Sequence, residues 1–178
     1  TGTALSDSDV VEGHGAYDPA DWKHPSFAET GWSTNGRGLL GGKNPGDIGG
    51  AVINTLVNIG PDGDRHLTTY FRKSFSVAGA ADYDLLEIGV KRDDGAVLFL
   101  NGREIARTNM PGGTIGYLTP AANVTGGADE STFFPFSIPT NLLVEGTNVI
   151  AVEVHQQSGG SSDVSFDLRL NGVKTQTA

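Results

Sequence analysis

Residues 91–111 read KRDDGAVLFLNGREIARTNMP, and this stretch decides the class of the fold. The apolar run Ala96 to Leu100 follows an Asp93-Asp94-Gly95 turn signal and leads directly into Asn101-Gly102. An Asn-Gly pair supplies the positive φ angles that a two-residue hairpin loop requires, so a strand over 96–100 is expected to fold back onto one starting at Arg103. No polar residue interrupts the run. It therefore predicts a central strand buried on both faces.

The same period of two continues on either side. Upstream, Thr69 to Val77 (TYFRKSFSV) is aromatic and β-branched and is closed by an Ala-Gly cluster, which reads as a strand. Leu86, Ile88 and Val90 then alternate with Glu87, Gly89 and Lys91, the pattern of a strand with one wet face. Downstream, Phe134, Phe136 and Ile138 alternate before Pro139, and Glu145-Gly146-Thr147-Asn148 turns the chain into a long strand over 149–156. There Ile150, Val152 and Val154 are expected to face the core, with Glu153 and His155 opposite. Val164, Phe166, Leu168 and Leu170 supply a matching apolar face, and these last two strands are expected to pair.

No segment sustains an apolar period of 3.6, so the class is all-β, with eight to ten strands and at most short helical turns. The expected architecture is a mostly antiparallel β-sandwich of jelly-roll type with long loops. One domain accounts for the whole chain: a loop-rich part over 1–66, a sandwich core over 67–171, and a tail or linker over 172–178. Residues 108–131, with Pro111-Gly112-Gly113 and Gly126-Gly127, read as an extended surface loop.

Composition removes several functions. At 178 residues and 37% hydrophobic content the chain can bury a core without staples. It has no cysteine, which excludes disulfides, thiolate metal sites and a cysteine nucleophile. A formal net charge of -9 opposes the phosphate neutralisation on which nucleic-acid binding depends. No apolar stretch is long enough to span a bilayer, and the first residues, TGTALSDSDV, lack the basic start and apolar centre of a signal peptide. The sequence reads as a piece excised from something longer.

Four segments together resemble the galactose-binding-like jelly-roll domains appended to bacterial secreted hydrolases and cell-surface proteins: TTYFRKSFSV, KRDDGAVLFLNGREIARTNMP, LLVEGTNVIAVEVHQ and DVSFDLRL. Asp21-Trp22 to Gly31-Trp32 matches the family's early aromatic region, and there the resemblance implies that Trp22 and Trp32 are packing residues. It further implies a non-catalytic, carbohydrate-binding accessory module, secreted or at the cell surface, beside a catalytic domain of its parent chain. A structural calcium ion is common in such relatives. The glycine-rich segment from Asn35 to Gly50 departs from the family pattern.

Asp93-Asp94 is the sharpest polar feature and carries two readings. Adjacent carboxylates at a strand end can supply hard oxygen ligands to calcium, as a similar motif does in the related PA14 sugar-binding sandwiches. The same residues can also make a tight turn in which an aspartate caps backbone amides. Asp93 and Asp94 are therefore both the candidate metal ligands and candidate ligand-binding residues. Neighbours on an extended strand point to opposite faces, so the pair is unsuited to glycosidase chemistry.

His155 and Glu153, facing Ser165 and Asp167 across the expected strand pair, form a polar stripe that is either a shallow glycan groove or a solvated sheet face. Sugar rings stack on exposed aromatic rings, which singles out Trp22, Trp32 and Tyr117, with Arg107 and Asn109 near Tyr117 in sequence. Other motifs fall away. His14, His24 and His66 are scattered, and Ser158, Ser161 and Ser162 lie in a glycine-rich loop without a nucleophile elbow. Asp7-x-Asp9 and Asp62-x-Asp64 do not continue as calcium loops, and Gly41-Gly42-Lys43-Asn44 is not a phosphate loop. The reading is a monomeric glycan-binding module, Asp93, Asp94, Arg107, Asn109, Tyr117 and His155 forming its site, with a structural or docking module as the alternative.

Overall fold

A computed structural model describes residues 2–5 by their backbone and residues 22–42 and 52–174 in full. Asp21, His14, Asp7-x-Asp9 and the whole segment from Lys43 to Gly50 lie outside the described residues. The described chain is all-β. Its strands, in order, are β1 (Gly2–Leu5), β2 (Ser33–Gly36), β3 (Leu40–Gly42), β4 (Thr55–Leu56), β5 (Thr68–Val77), β6 (Leu85–Asp93), β7 (Gly95–Leu100), β8 (Arg103–Thr108), β9 (Phe134–Pro139), β10 (Gly146–His155) and β11 (Val164–Val173). They form a six-stranded sheet, β2-β1-β5-β10-β7-β8, facing a five-stranded sheet, β4-β3-β11-β6-β9. Pairing is antiparallel throughout except between β3 and β4.

The strands beyond the expected eight to ten are the short ones of the loop-rich N-terminal part, where no apolar alternation marks them. The hairpin forms where Asn-Gly requires it: Asn101 and Gly102 adopt φ of 51° and 84° between β7 and β8. Asn101 does more than turn the chain, since its amide donates to Leu142 O and Asn148 Oδ1 and its Oδ1 accepts the Val149 N–H.

The main core lies between the sheets, where Phe71 of β5, Leu98 and Leu100 of β7 and Val152 and Val154 of β10 meet Ile88 and Val90 of β6 and Val164 and Phe166 of β11. A second core covers the outer face of the six-stranded sheet. Val97, Phe99, Val149, Ala151 and Tyr70 present that face, and Trp22 and Trp32 pack onto it with Met110, Ile115 and Tyr117 against them. Trp22 contacts Tyr70 and Phe99 edge-on, with ring centroids 4.7 and 5.8 Å apart, the geometry that aromatic quadrupoles favour. Both tryptophans are packing residues. Arg72 secures this layer from below, donating to Trp22 O, to His24 O and to Glu29 Oε1. Cover on both sides explains why every residue from Ala96 to Leu100 is buried. β7 is nevertheless one strand in from the sheet edge, between β10 and β8.

The expected pairing of the last two strands does not occur. β10 pairs with β5 and β7, whereas β11 pairs with β3 and β6 in the opposite sheet. Their apolar faces match because they meet across the sandwich, not because they lie side by side, and the segment 156–163 crosses between layers. One consequence removes the expected stripe. Glu153 and His155 point out of the six-stranded sheet, and Ser165 and Asp167 point out of the five-stranded one.

Candidate functional site

Asp94 is the single residue between β6 and β7, and there the chain passes from one sheet to the other. Asp93 and Asp94 are 3% and 1% exposed. A carboxylate this deep must be satisfied internally. Asp94 Oδ1 accepts the Thr125 N–H at 2.5 Å and Oδ2 accepts the Gln157 N–H at 2.8 Å. Its carbonyl accepts Thr125 Oγ1 and the Asn109 amide, and its own N–H donates to His155 O. One residue therefore clamps the loops that contain Asn109, Thr125 and Gln157. It caps backbone amides, as one reading of the motif required, but those amides are remote in sequence.

Asp93 differs from its neighbour. Burial, then the Asp94 charge and a hydrogen bond to Asp94, with further contributions from Asp163 and Glu130, push its carboxyl up to about 9. Both its burial and the neighbouring acidic groups favour the neutral form of Asp93. Arg92 completes the corner, donating to Thr125 Oγ1 at 2.7 Å and lying 4.2 Å from the centroid of the Phe134 ring. Burial lowers the pKa of its guanidinium, while Asp129, Asp93 and Asp94 oppose the shift.

Each Asp94 carboxylate oxygen already accepts one main-chain N–H, so the pair has fewer lone pairs to offer a calcium ion than the bare motif has. Calcium takes six to eight oxygen ligands with free lone pairs. Both Asp94 carboxylate oxygens already face main-chain N–H groups, and its carbonyl receives two side-chain donors. Among the described residues no three or more His, Asp or Glu side chains are grouped to hold a metal. Asp62 is instead paired with Arg65, and the Asp64 N–H closes a turn onto Pro61 O.

The remaining predicted site residues belong to the same construction. Arg107 grips Glu104 with two hydrogen bonds, at 2.6 and 2.7 Å, and turns its third nitrogen onto the carbonyls of Pro111 and Gly113. Asn109, at φ 52°, donates to Asp94 O and Asn123 O. Tyr117 is half-buried against the tryptophan layer, and its carbonyl accepts Thr68 Oγ1. His155 is fully buried, with Nδ1 2.7 Å from Thr119 O, and a carbonyl can only accept, so that nitrogen carries the proton. Its Nε2 lies 3.7 Å from Glu153 Oε2. The structure thus brings Asp93, Asp94, Asn109 and His155 together at one end of the sandwich, where Asp94, Asn109 and His155 Nδ1 bind the protein's own loops and the buried His155 Nε2 has no hydrogen-bond partner.

Two surfaces are open. The first is a cleft of about 470 Å³ between the sheets, walled by Leu40, Phe71, Ile150, Val152 and Phe166 beside the exposed Arg37 and Lys73. Asp167 is the sole carboxylate among its described lining, so it presents no carboxyl pair of the kind glycoside hydrolysis employs.

The second is the outer face of the five-stranded sheet. Strand alternation places Glu87, Gly89 and Lys91 of β6, Asp167, Arg169 and Asn171 of β11, and Pro135 and Ser137 of β9 on this face. Phe133 lies against Gly89, where a Cβ would sit 3.5 Å from the ring. Lys91 Nζ and Arg169 Cζ are 4.9 and 3.8 Å from the ring centroid. The alternation in β6 and β11 is legible in the sequence, which assigns Ser165 and Asp167 to a polar stripe with Glu153 and His155 but gives Glu87, Lys91, Arg169 and Asn171 no role. Phe133 looks like one more apolar residue in a Phe-Phe-Pro-Phe run, and only the register reveals that it faces away from Phe134.

No family model matches the chain, and no curated protein does. Among solved structures, a β-glucuronidase of Bacteroides uniformis is similar over 98% of this chain and 18% of its own, at 13% identity and a TM-score of 0.48. A glycosyl hydrolase family 2 member from Bacteroides cellulosilyticus is similar over 94% of this chain and 20% of its own, at 16% identity and a TM-score of 0.45. An α-L-rhamnosidase of Streptomyces avermitilis is similar over 61% of this chain and 9% of its own, at 16% identity and a TM-score of 0.41. The chain spans a fifth or less of the length of each.

Proposed function

We propose that the chain is a non-catalytic carbohydrate-binding accessory module of a larger secreted or surface-borne protein, and that the sugar lies along the outer face of the five-stranded sheet. The observation that carries this reading is the build of that face. Hydrogen-bonding side chains of both signs are set on rigid strands around the half-buried Phe133 ring: Glu87, Arg169 and Asn171 are exposed, and Asp167 is half-buried against Gly38. Saccharides present apolar C–H faces and hydroxyl edges, and such a surface offers a partner to each. The opposite outer face is closed by Trp22, Trp32 and the loop through Tyr117.

Phe133→Ala is the direct test, by calorimetric titration against a panel of plant and bacterial oligosaccharides. Loss of the ring, which holds the Arg169 guanidinium in place, is expected to weaken binding by about fivefold, the equivalent of roughly 1 kcal/mol for one aromatic contact. The fold should stay intact, because the ring lies outside both cores. Unchanged affinity would remove the face from consideration.

The reading needs no metal. Excess chelator is expected to leave the melting temperature within about 1 °C of its starting value, since only a ligand bound to the native state shifts it by mass action. A larger fall would mean that an ion is held outside the groups described above. A docking role for the module rests on a separate observation: Val52 and Leu56, at the edge strand β4, are 68% and 71% exposed. They offer an apolar contact to a neighbouring domain of the parent chain, compatible with sugar binding on the outer face.

A further inference from the structure

We infer that the outer face of the five-stranded sheet selects glycans bearing carboxylate groups, uronate-type sugars, with Arg169 as the carboxylate receptor and Lys91 as the second cation. This deepens the glycan reading above and rests on it.

Three features point the same way. The chain is acidic, at a formal net charge of -9, and the guanidiniums of Arg65, Arg72 and Arg107 are each matched to a carboxylate. Arg169 and Lys91 are not. Among the described residues neither makes a side-chain hydrogen bond or a salt bridge, although Asp167 is the register partner of Lys91. Secondly, both charges lie within 4.9 Å of one ring centroid, so two cations are concentrated on a small patch, and neither is in salt-bridge contact with Glu87 or Asp167 of the same face. An anion placed between them removes that repulsion. Thirdly, Arg169 is exposed yet stacked on Phe133 at 3.8 Å. Stacking restrains a planar guanidinium before any ligand arrives, so less rotamer freedom is lost when its N–H fork meets a carboxylate bidentately.

A sugar ring supplies what the rest of the face accepts. Glu87, Asp167 and Asn171 present acceptor oxygens on the same face, suited to the hydroxyl donors that a sugar carries and an acidic peptide's side chains lack. Charge and ring are thus placed for an acid group on a polyhydroxylated body.

The experiment titrates the full chain with a uronic-acid tetramer, with the same tetramer after its carboxyls are reduced to alcohols, with a sulfated tetramer and with polyglutamate. The acid form is expected to bind about tenfold or more tighter than the reduced form, a preference that shrinks as salt rises and is lost in Arg169→Gln. Lys91→Gln should lose part of it. Arg169 is exposed, and an unchanged melting temperature of the variant would show that lost preference is not lost fold. Equal binding of acid and reduced tetramers would overturn the carboxylate assignment and leave the glycan reading standing. Binding of no tetramer would end both. Tighter binding of the sulfated tetramer, or equal binding of polyglutamate, would also overturn the assignment, in favour of a sulfate site or of a protein partner respectively.

Discussion

Asp94→Ala is expected to destabilise the domain by about 3–5 kcal/mol, because it strips buried donors of a charged acceptor and leaves them unpaired. The Thr125 and Gln157 N–H groups would lose the two oxygens they share, in a setting that is 1% exposed. Asp94→Asn should cost less, since its amide oxygen can still accept one of the two. Urea unfolding measured side by side on the three proteins tests the order wild type, Asn, Ala. A loss below about 1 kcal/mol for Ala, the range of an exposed turn residue, would refute the clamp.

Asp93 should behave in the opposite sense. Its folded pKa of about 9 lies far above the ordinary carboxyl value, because burial and its acidic neighbours Asp94, Asp163 and Glu130 all disfavour the charged form. Between roughly pH 4 and pH 9 the native state therefore holds a proton that the unfolded chain has released, and stability falls as pH rises through that window. The slope from one such group approaches 1.4 kcal/mol per pH unit at most. Asp93→Asn keeps a donor to Asp94 without a titrating charge. The variant is expected to gain little near pH 4 and to exceed wild type by about 2 kcal/mol or more at pH 8, where each kcal/mol raises the melting temperature by roughly 2–4 °C. A parallel offset between the two stability profiles at all pH values would mean that Asp93 does not carry this proton.

Local order was legible in the sequence because local chemistry decides it. Asn101-Gly102 turns where its positive φ angles allow, and Leu86, Ile88 and Val90 face inward because alternate residues of a strand share a face. Ala96 to Leu100 announces burial on both faces. The ligand of a buried group is another matter. Asp93-Asp94-Gly95 reads as a turn, but its partners Thr125 and Gln157 are remote in sequence, and no spacing rule connects them. Two complementary apolar strands likewise look the same in sequence whether they lie side by side or face each other across a core. That ambiguity sent β10 and β11 into one sheet and invented a polar stripe from Glu153, His155, Ser165 and Asp167. The outer-face platform was out of reach for the same reason. It depends on Phe133 folding back against Gly89, and on Arg169 being the register partner of that glycine.

The buried groups at the β6–β7 corner hold loops to the sandwich, whereas the proposed ligand face is built from the outward groups of the five-stranded sheet. Backbone amide chemical-shift mapping during titration with the uronic-acid tetramer examines that division residue by residue. Perturbation should concentrate at Gly89, Lys91, Phe133, Arg169 and Asn171, with Asp94, Thr125 and Gln157 unmoved. Shifts gathered instead around Asn109 and Tyr117, or in the cleft at Phe71 and Ile150, would contradict the assignment of the face.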